Sequence, residues 1–525
     1  MSLIPLPFWL MLPALCALGA WVLGWLAVRT TRNQQLRDIL LASFWVRVGL
    51  AAVLFFISDL GWPVLKSLQM GHGLWSFGGD AQAYHAYGQT MSQSWWRGES
   101  AILPEARIFP YSFVVAVIYW LFGPHLLHGV LFNAWCGAVC GLLAYLIAGR
   151  CGGDRARMPA ALLVAFWPSS FLWTAQLMKD SLTWCTTLAA LYFSIRWCQE
   201  ASDSHQPGMG RRAWSWVGLV FTVTTVTVIR YYVGLALLAA TGIVVSVSLV
   251  IAACRRQFSG QLRLVGLPAT VAFAVLLPSI VLLVPVELRR WNGHGGNGVP
   301  DGAVPVQQTS DGLRLSERPG TQPEAVVMGE AARLWNAMHP NTLIQQRRGF
   351  VTTGGHALID GEREVSDTGA LLRYLPRGVI VALLAPFPPQ WFDRTGSTGL
   401  MRLWSSLEMI FIYAGVAFLL WSRGVGVVAV LERGRRGGLL LLAFTILLMI
   451  QVGVVVANIG TLFRLRLLFL FPFLIIVAAG AGCAKPYSDS TIPGKAVVPW
   501  ITRTYTKFLQ RGSLGPTQGM RGRSS

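Results

Sequence analysis

Long apolar runs separated by short polar connectors dominate the chain. Runs of spanning length fall near 8–28, 39–58, 126–148, 159–177, 181–197, 214–230, 234–253, 264–286, 406–421, 437–456 and 467–484. Most approach the roughly 20 residues that cross a hydrocarbon core about 30 Å thick, and a few sit at the lower limit. Backbone in lipid must close its hydrogen bonds within the segment, so each run is expected to be a helix. The pattern predicts an all-α, polytopic helical membrane bundle of about eleven transmembrane helices. Two other apolar stretches are too short to cross: 111–122, and Val379 to Leu384 between Pro376 and Pro386, Pro388 and Pro389. Both predict short interfacial or re-entrant helices in outer loops. The first run lacks a basic leading region and runs on to another span, so it reads as a span and not a cleaved signal.

These runs divide the chain into an extra N-terminal span with an inner loop (1–38) and a transmembrane core (39–286) with a large outer loop at 59–125. A long outer loop (287–405) comes next, then C-terminal spans (406–484) and a basic tail (485–525). Within 287–405, the stretch 291–325 is rich in Gly, Pro, Ser, Gln and Asp and reads as an insert, with the re-entrant helix near 376–389. There is no internal repeat.

Composition agrees with the pattern. The 525 residues are 54% hydrophobic and 13% charged, against roughly 25% charged in soluble domains. A formal net charge of +20 raises nucleic acid as a partner. However, the basic residues stand in short connectors and in the tail, and no soluble basic domain or recognition motif is present to grip a nucleic acid. Eight cysteines, Cys136 and Cys140 among them at i, i+4, fall in apolar runs or inner loops without a C-x-x-C pair, which suits packing better than metal or redox chemistry.

Alternating the spans puts one set of basic connectors on one side. These are Arg29, Arg32 and Arg37; Arg150, Arg155 and Arg157; Arg211 and Arg212; Arg255, Arg256 and Arg263; and Arg423, Arg433, Arg435 and Arg436, joined by the tail from Lys485. The positive-inside bias makes that side cytoplasmic, with the N-terminus outside and the C-terminus inside. Four cations then sit at the outer ends of spans, where the bias disfavours them: Lys179, Arg230, Arg464 and Arg466. Snorkelling explains any one of them. Four on one face of a bundle point to a shared anionic ligand, such as a phosphate or diphosphate headgroup. Carboxylates lie on the same side. Asp80 is placed to open a helix, with Tyr84 one turn on and His85 beside it, although a simple N-cap would look the same. Glu105 precedes the short helix at 111–122. Asp180 adjoins Lys179, where a surface ion pair would contribute little. Together these groups suit a phosphorylated substrate and a general base.

The order of these motifs resembles the GT-C multi-span glycosyltransferases, the superfamily of the aminoarabinose transferases and protein O-mannosyltransferases, in a polysaccharide-associated branch. The resemblance rests on Asp80-Ala81-Gln82-Ala83-Tyr84 in the first outer loop, Glu105 and Pro110 before Leu121-Phe122-Gly123, and Pro168-Ser169-Ser170 leading to Lys179-Asp180. Leu375-Pro376-Arg377-Gly378 and Asn458 through Arg466 complete it. The paired prolines of the aminoarabinose branch are missing after Glu105. The resemblance implies a GT-C-like core and transfer of a sugar from a polyprenyl-phosphate donor to a glycan, lipid or protein acceptor. The transfer would occur at the extracytoplasmic face, with inversion, in cell-envelope glycan or polysaccharide synthesis. It implies Asp80 as the catalytic base, and Tyr84, His85, Glu105, Lys179, Asp180, Arg230, Arg464 and Arg466 as substrate contacts. Asp180 and Glu105 would hold a divalent cation or position the sugar; no cofactor is otherwise implied. Membrane lipids surround the chain, and the expected location is the plasma membrane, the inner membrane of a bacterium. The alternatives are a polysaccharide polymerase or ligase using Arg347 and Arg348 of the large loop, a lipid-linked sugar flippase or transporter, and a purely structural subunit.

Overall fold

A computed structural model describes residues 8–99, 110–201, 209–255, 264–277, 340–353, 358–363, 365–392, 399–422 and 424–483. The insert at 291–325, Glu105 and the basic tail lie outside these residues. The helices are α1 (Phe8–Thr31), α2 (Gln34–Asp59), α3 (Asp80–Trp96), α4 (Tyr111–Phe122), α5 (Leu126–Cys151), α6 (Asp154–Ala165), α7 (Pro168–Thr174) and α8 (Asp180–Glu200). They continue as α9 (Met209–Ile229), α10 (Tyr231–Arg255), α11 (Leu264–Leu277), α12 (Pro340–Thr353) and α13 (Thr368–Leu384). The last four are α14 (Gly399–Trp421), α15 (Val425–Val455), α16 (Ile459–Leu465) and α17 (Leu467–Cys483). A two-stranded hairpin, β1 (Gln69–Gly71) with β2 (Leu74–Trp75), is a small addition to the helical bundle.

Among the described residues, seven helices are long and apolar enough to cross a membrane, or eight if α16 and α17, bent by 52°, count as one span. The expected count of about eleven is not reached on that measure, for three local reasons. The run 159–177 is broken between Ala165 and Pro168, because proline cannot donate to the preceding turn and starts a new helix instead. The run 181–197 is one continuous helix, α8, but its Ser, Thr and Trp lower its mean hydropathy. Only the first part of 264–286 is described, as α11.

The short stretches behave as their length requires. Helix α4 has 12 residues, ends at Gly123 with φ 93°, and lies on α3 and α5. Helix α13 starts well before the anticipated 376, because Asp367 caps it by accepting from Ala370 N at 2.9 Å; it absorbs Pro376 internally and ends at Leu384. Arg433, Arg435 and Arg436 were expected in a coil connector. They stand instead inside α15, at a break where Arg435 has φ 47° and ψ −120°.

The core runs through α5, α8, α15 and α17, with buried Trp184, Phe444, Phe469 and Phe471 at its centre. Small residues allow the closest crossings, as in membrane bundles generally. Gly378 of α13 faces Gly453 of α15 backbone to backbone. The bundle has two unlike ends. At one, Arg433 donates to Gly152 O at 2.7 Å, Arg150 to Gln199 at 2.8 Å, and Asn33 to the Tyr145 hydroxyl at 3.3 Å, so the arginine-bearing connectors meet there. The other end carries the hairpin, α3, α4 and the starts of α8, α10 and α16.

Replacing Gly453 with valine would drive a side chain into the Gly378 carbonyl. The expected cost is about 1–3 kcal/mol of stability, the scale of core overpacking. Thermal unfolding of detergent-solubilised protein measures it, and an unchanged midpoint contradicts the crossing.

Candidate functional site

Asp80 is the first residue of α3, at the end of the bundle away from the basic connectors. The chain leading to it is tightly held. Ser58 donates to Leu74 O at 2.7 Å, the buried Trp75 donates to Leu54 O at 3.1 Å, and Phe77 packs edge-on against Trp173 of α7. Trp173 in turn meets Phe463 of α16. This aromatic chain fixes the start of α3 beside α16, and Arg464 Nη1 donates to Asp80 Oδ2 at 3.2 Å across 384 residues of sequence.

A second carboxylate completes the cluster. Asp180 opens α8 and is 1% exposed. Arg230, in the break between α9 and α10, donates to its Oδ1 at 2.5 Å, and Arg464 Nε lies 3.4 Å from its Oδ2. Burial alone would raise the Asp180 carboxyl, but Arg464, Arg230 and Lys179 overcome it and hold Asp180 below the usual carboxylate range. Tyr232 accepts a second hydrogen bond from Arg230 at 3.0 Å. The turn before Asp180 is held from beneath: Asn133 of α5 donates to Gln176 O at 2.8 Å and Met178 O at 2.9 Å, and accepts from Tyr111 of α4 at 2.7 Å.

Lys179 borders this cluster, half-buried. Its burial, and then Arg230 nearby, push its amine from the ordinary 10.5 down to about 8, against the pull of Asp180 and Asp80. Tyr84 is fully buried one turn below Asp80, edge-on to Tyr111 at 5.1 Å. Burial, with Asp80 and Asp180 adding to it, keeps its phenol protonated. Five of the anticipated residues therefore converge: Asp80, Lys179, Asp180, Arg230 and Arg464, with Tyr84 underneath.

Two anticipated residues stand apart from the cluster, and a third is not described. His85 turns to the Tyr119 hydroxyl of α4 at 2.7 Å, and burial lowers its pKa, so it is a neutral ring facing another helix. Glu105 lies outside the described residues. Arg466 is a correction: it is 1% exposed and donates to Ala382 O, Ala385 O and Met409 Sδ, binding α13 and α14 to the start of α17. Residues two apart on a helix do not share a face, and the 52° bend falls between the two arginines, so Arg464 and Arg466 point to different neighbours. Asp180 also does not fit a metal, because both of its oxygens face guanidinium groups. Among the described residues, no group of three or more His, Cys, Asp or Glu converges in a way that would hold a metal ion.

The structure adds polar groups where apolar runs suggested none. Asn133, Arg47 and Glu408 are buried in α5, α2 and α14. Arg47 donates to Ala165 O at 2.9 Å, to Ser43 Oγ at 2.7 Å and to Ser170 Oγ at 2.7 Å, with its guanidinium 4.1 Å from the Phe171 ring centre. Glu408 accepts from Ser169 N. A cation thus answers the carbonyl end of α6 and an anion the amide end of α7, as the dipoles of the two pieces require. One charge or amide inside an otherwise apolar run was the available signal, since such residues are costly in lipid.

Helices of membrane-spanning length make this an integral membrane protein, and two carboxylates and three cations gather at one end of them. Residues 109–283 match the family model for dolichyl-phosphate-mannose-protein mannosyltransferase. That stretch is one third of the chain and contains Lys179, Asp180 and Arg230, but neither Asp80 nor Arg464, and it makes the chain membrane glycosyltransferase-like. Among solved structures, the chain is similar to the archaeal oligosaccharyltransferase AglB from Archaeoglobus fulgidus, solved with an inhibitory peptide and a dolichol-phosphate. The TM-score is 0.41 at 13% identity, over 93% of this chain and 53% of that one, so this chain spans about half its length. No curated protein matches the sequence.

Arg230→Gln should leave Asp180 buried with one partner lost and cost about 3–5 kcal/mol, as removal of one member of a buried pair does. Adding Asp180→Asn should restore part of that loss. Unfolding of the single and double variants in detergent tests this; additive losses would show that the two side chains do not act as a pair.

Proposed function

We propose that the chain is a membrane glycosyltransferase that moves a sugar from a polyprenyl-phosphate donor to an acceptor at the extracytoplasmic face, inverting the anomeric carbon. The observation that carries this reading is the ion pair between Asp80 and Arg464 within a cation-rich cluster at the end opposite the basic connectors. The positive-inside bias assigns that end to the outside. The likeness of residues 109–283 to mannosyltransferases that use a lipid-phosphate sugar supports the donor class.

The chemistry follows from the hydrogen bonds. Arg464 holds Oδ2 of Asp80 and leaves Oδ1 to take the proton of an acceptor hydroxyl. That oxygen then attacks the anomeric carbon from the face opposite the phosphate. The bond to the carrier phosphate breaks, and the phosphate departs with the electron pair. Arg464 and Lys179 stabilise the negative charge it gathers. Arg230 has a different part, because its two Nη groups are committed to Tyr232 and Asp180; it fixes the wall of the site.

The polymerase or ligase alternative relied on Arg347 and Arg348. Arg347 is buried, donates to Val454 O at 3.1 Å and Asp360 O at 3.3 Å, and stacks 4.2 Å from the Tyr374 ring centre, which makes it a brace between α12, α13 and α15. The transport alternative expected broken spans and deep charges. Both occur, at α6–α7, but Arg47 and Glu408 are spent on the exposed backbone ends of that break.

Purified protein incubated with a panel of polyprenyl-phosphate sugars should release carrier phosphate, and Asp80→Asn should reduce the rate about 10²–10⁴-fold. No release by the wild type, or equal release by the variant, removes the mechanism. The pH dependence is a separate check. Protonated Lys179 attracts the phosphate, so the apparent KM for donor should rise as pH climbs through about 8, and Lys179→Arg should abolish that rise. The unfolded chain binds more protons than the folded one between about 8 and 10.5, so the cost of burying this amine is relieved and stability rises as pH climbs through that range. Weakening from unfolding at Lys179 would have the opposite sign.

A further inference from the structure

We propose that the groove between α1 and α2 is a binding site for one anionic glycerophospholipid of the leaflet facing the arginine-rich end. The groove has a volume of about 640 Å³ and is lined by Trp21, Gly24, Trp25 and Arg29 of α1 and by Arg37 and Trp45 of α2, among others. It lies at the far end of the bundle from Asp80 and does not depend on the sugar-transfer reading.

Its length fits one leaflet. From Arg29 to Ala20 at the deep end is about 13 Å along a helix, close to half of the roughly 30 Å hydrocarbon core. The deep part is aromatic: Trp21, Trp25 and Trp45 are all about half exposed or more. Trp21 and Trp25 are one turn apart and form one wall, Trp45 stands on the other, and Gly24 keeps the floor low. The stem of Arg37 crosses that floor, 3.7 Å from where a Gly24 side chain would begin.

The shallow end is charged for a phosphate. Arg29 and Arg37 converge there, and Arg32 stands further along the same connector. Asp38 answers Arg37 at 2.8 Å, while Arg29 forms no ion pair among the described residues. The cations therefore exceed the carboxylate, and the excess lies at headgroup depth.

A partner helix suits this groove less well. Helix contacts in membranes use small residues that bring backbones together, and three protruding tryptophans hold a helix away. An acyl chain passes between them, and a phosphodiester meets the arginines.

The test uses the full chain in nanodiscs of phosphatidylcholine, alone or doped with phosphatidylglycerol, with native mass spectrometry of the retained lipid. Two arginines should favour retained phosphatidylglycerol about thirtyfold over phosphatidylcholine. Arg29→Gln, at an exposed position that leaves the fold intact, should cut the preference about fivefold, and Arg29→Gln with Arg37→Gln should erase it. Arg97→Gln, an exposed charge at the other end, should leave it unchanged. Equal retention of both lipids by the wild type overturns the proposal, as does a preference that survives the double variant. A dimer that the double variant dissociates would put a second copy in the groove, and would overturn it as well.

Discussion

A carboxylate taken out of water must be answered by positive charge, and Asp180 sets that demand on one whole end of this protein. Its two oxygens are met by two guanidiniums from other parts of the bundle, Arg230 from the break between α9 and α10 and Arg464 from the last turn of α16. Each arginine then has a further obligation. Arg464 reaches on to Asp80, and Arg230 to Tyr232. One buried charge therefore ties together α3, α8, α10 and α16, elements that no short loop connects. With Lys179 counted, three cations face two carboxylates, and the surplus positive charge suits an anionic guest.

A second set of buried charges makes this arrangement possible. Lys179 and Asp180 must sit on a turn between α7 and α8, and α7 exists only because the preceding run is broken at Pro168. A break in lipid exposes carbonyls on one side and amides on the other. Arg47 takes the carbonyl side and Glu408 the amide side, so the discontinuity is closed by side chains of opposite sign. Asn133 then holds the turn itself through two carbonyls. The broken run and the site end are thus parts of one scaffold.

Much of this was legible in the sequence, for a definite reason. Asp80, Lys179, Asp180, Arg230 and Arg464 stand at span ends on the side where cations are disfavoured, so their placement calls for an explanation from the residue pattern alone. The helical class and the short helix α4 are consequences of run length. The span count was less legible, since one proline splits a run that hydropathy averages into a whole, polar side chains thin a second, and a third is described only in part. The partners of Arg47 and Glu408 were hidden because they are backbone groups freed at that split, and a pattern of side chains does not show freed backbone. Arg466 was misassigned because proximity in sequence to Arg464 says nothing about azimuth on a bent helix.

The junction Arg464-Leu465-Arg466 has a consequence of phase. Each residue added to a helix rotates the remainder of that helix by about 100°. A single insertion there would swing one guanidinium off its quarry, stranding either the carboxylates on one side or the carbonyls of α13 on the other. This three-residue hinge behaves like a toothed gear, intolerant of a change in the number of teeth.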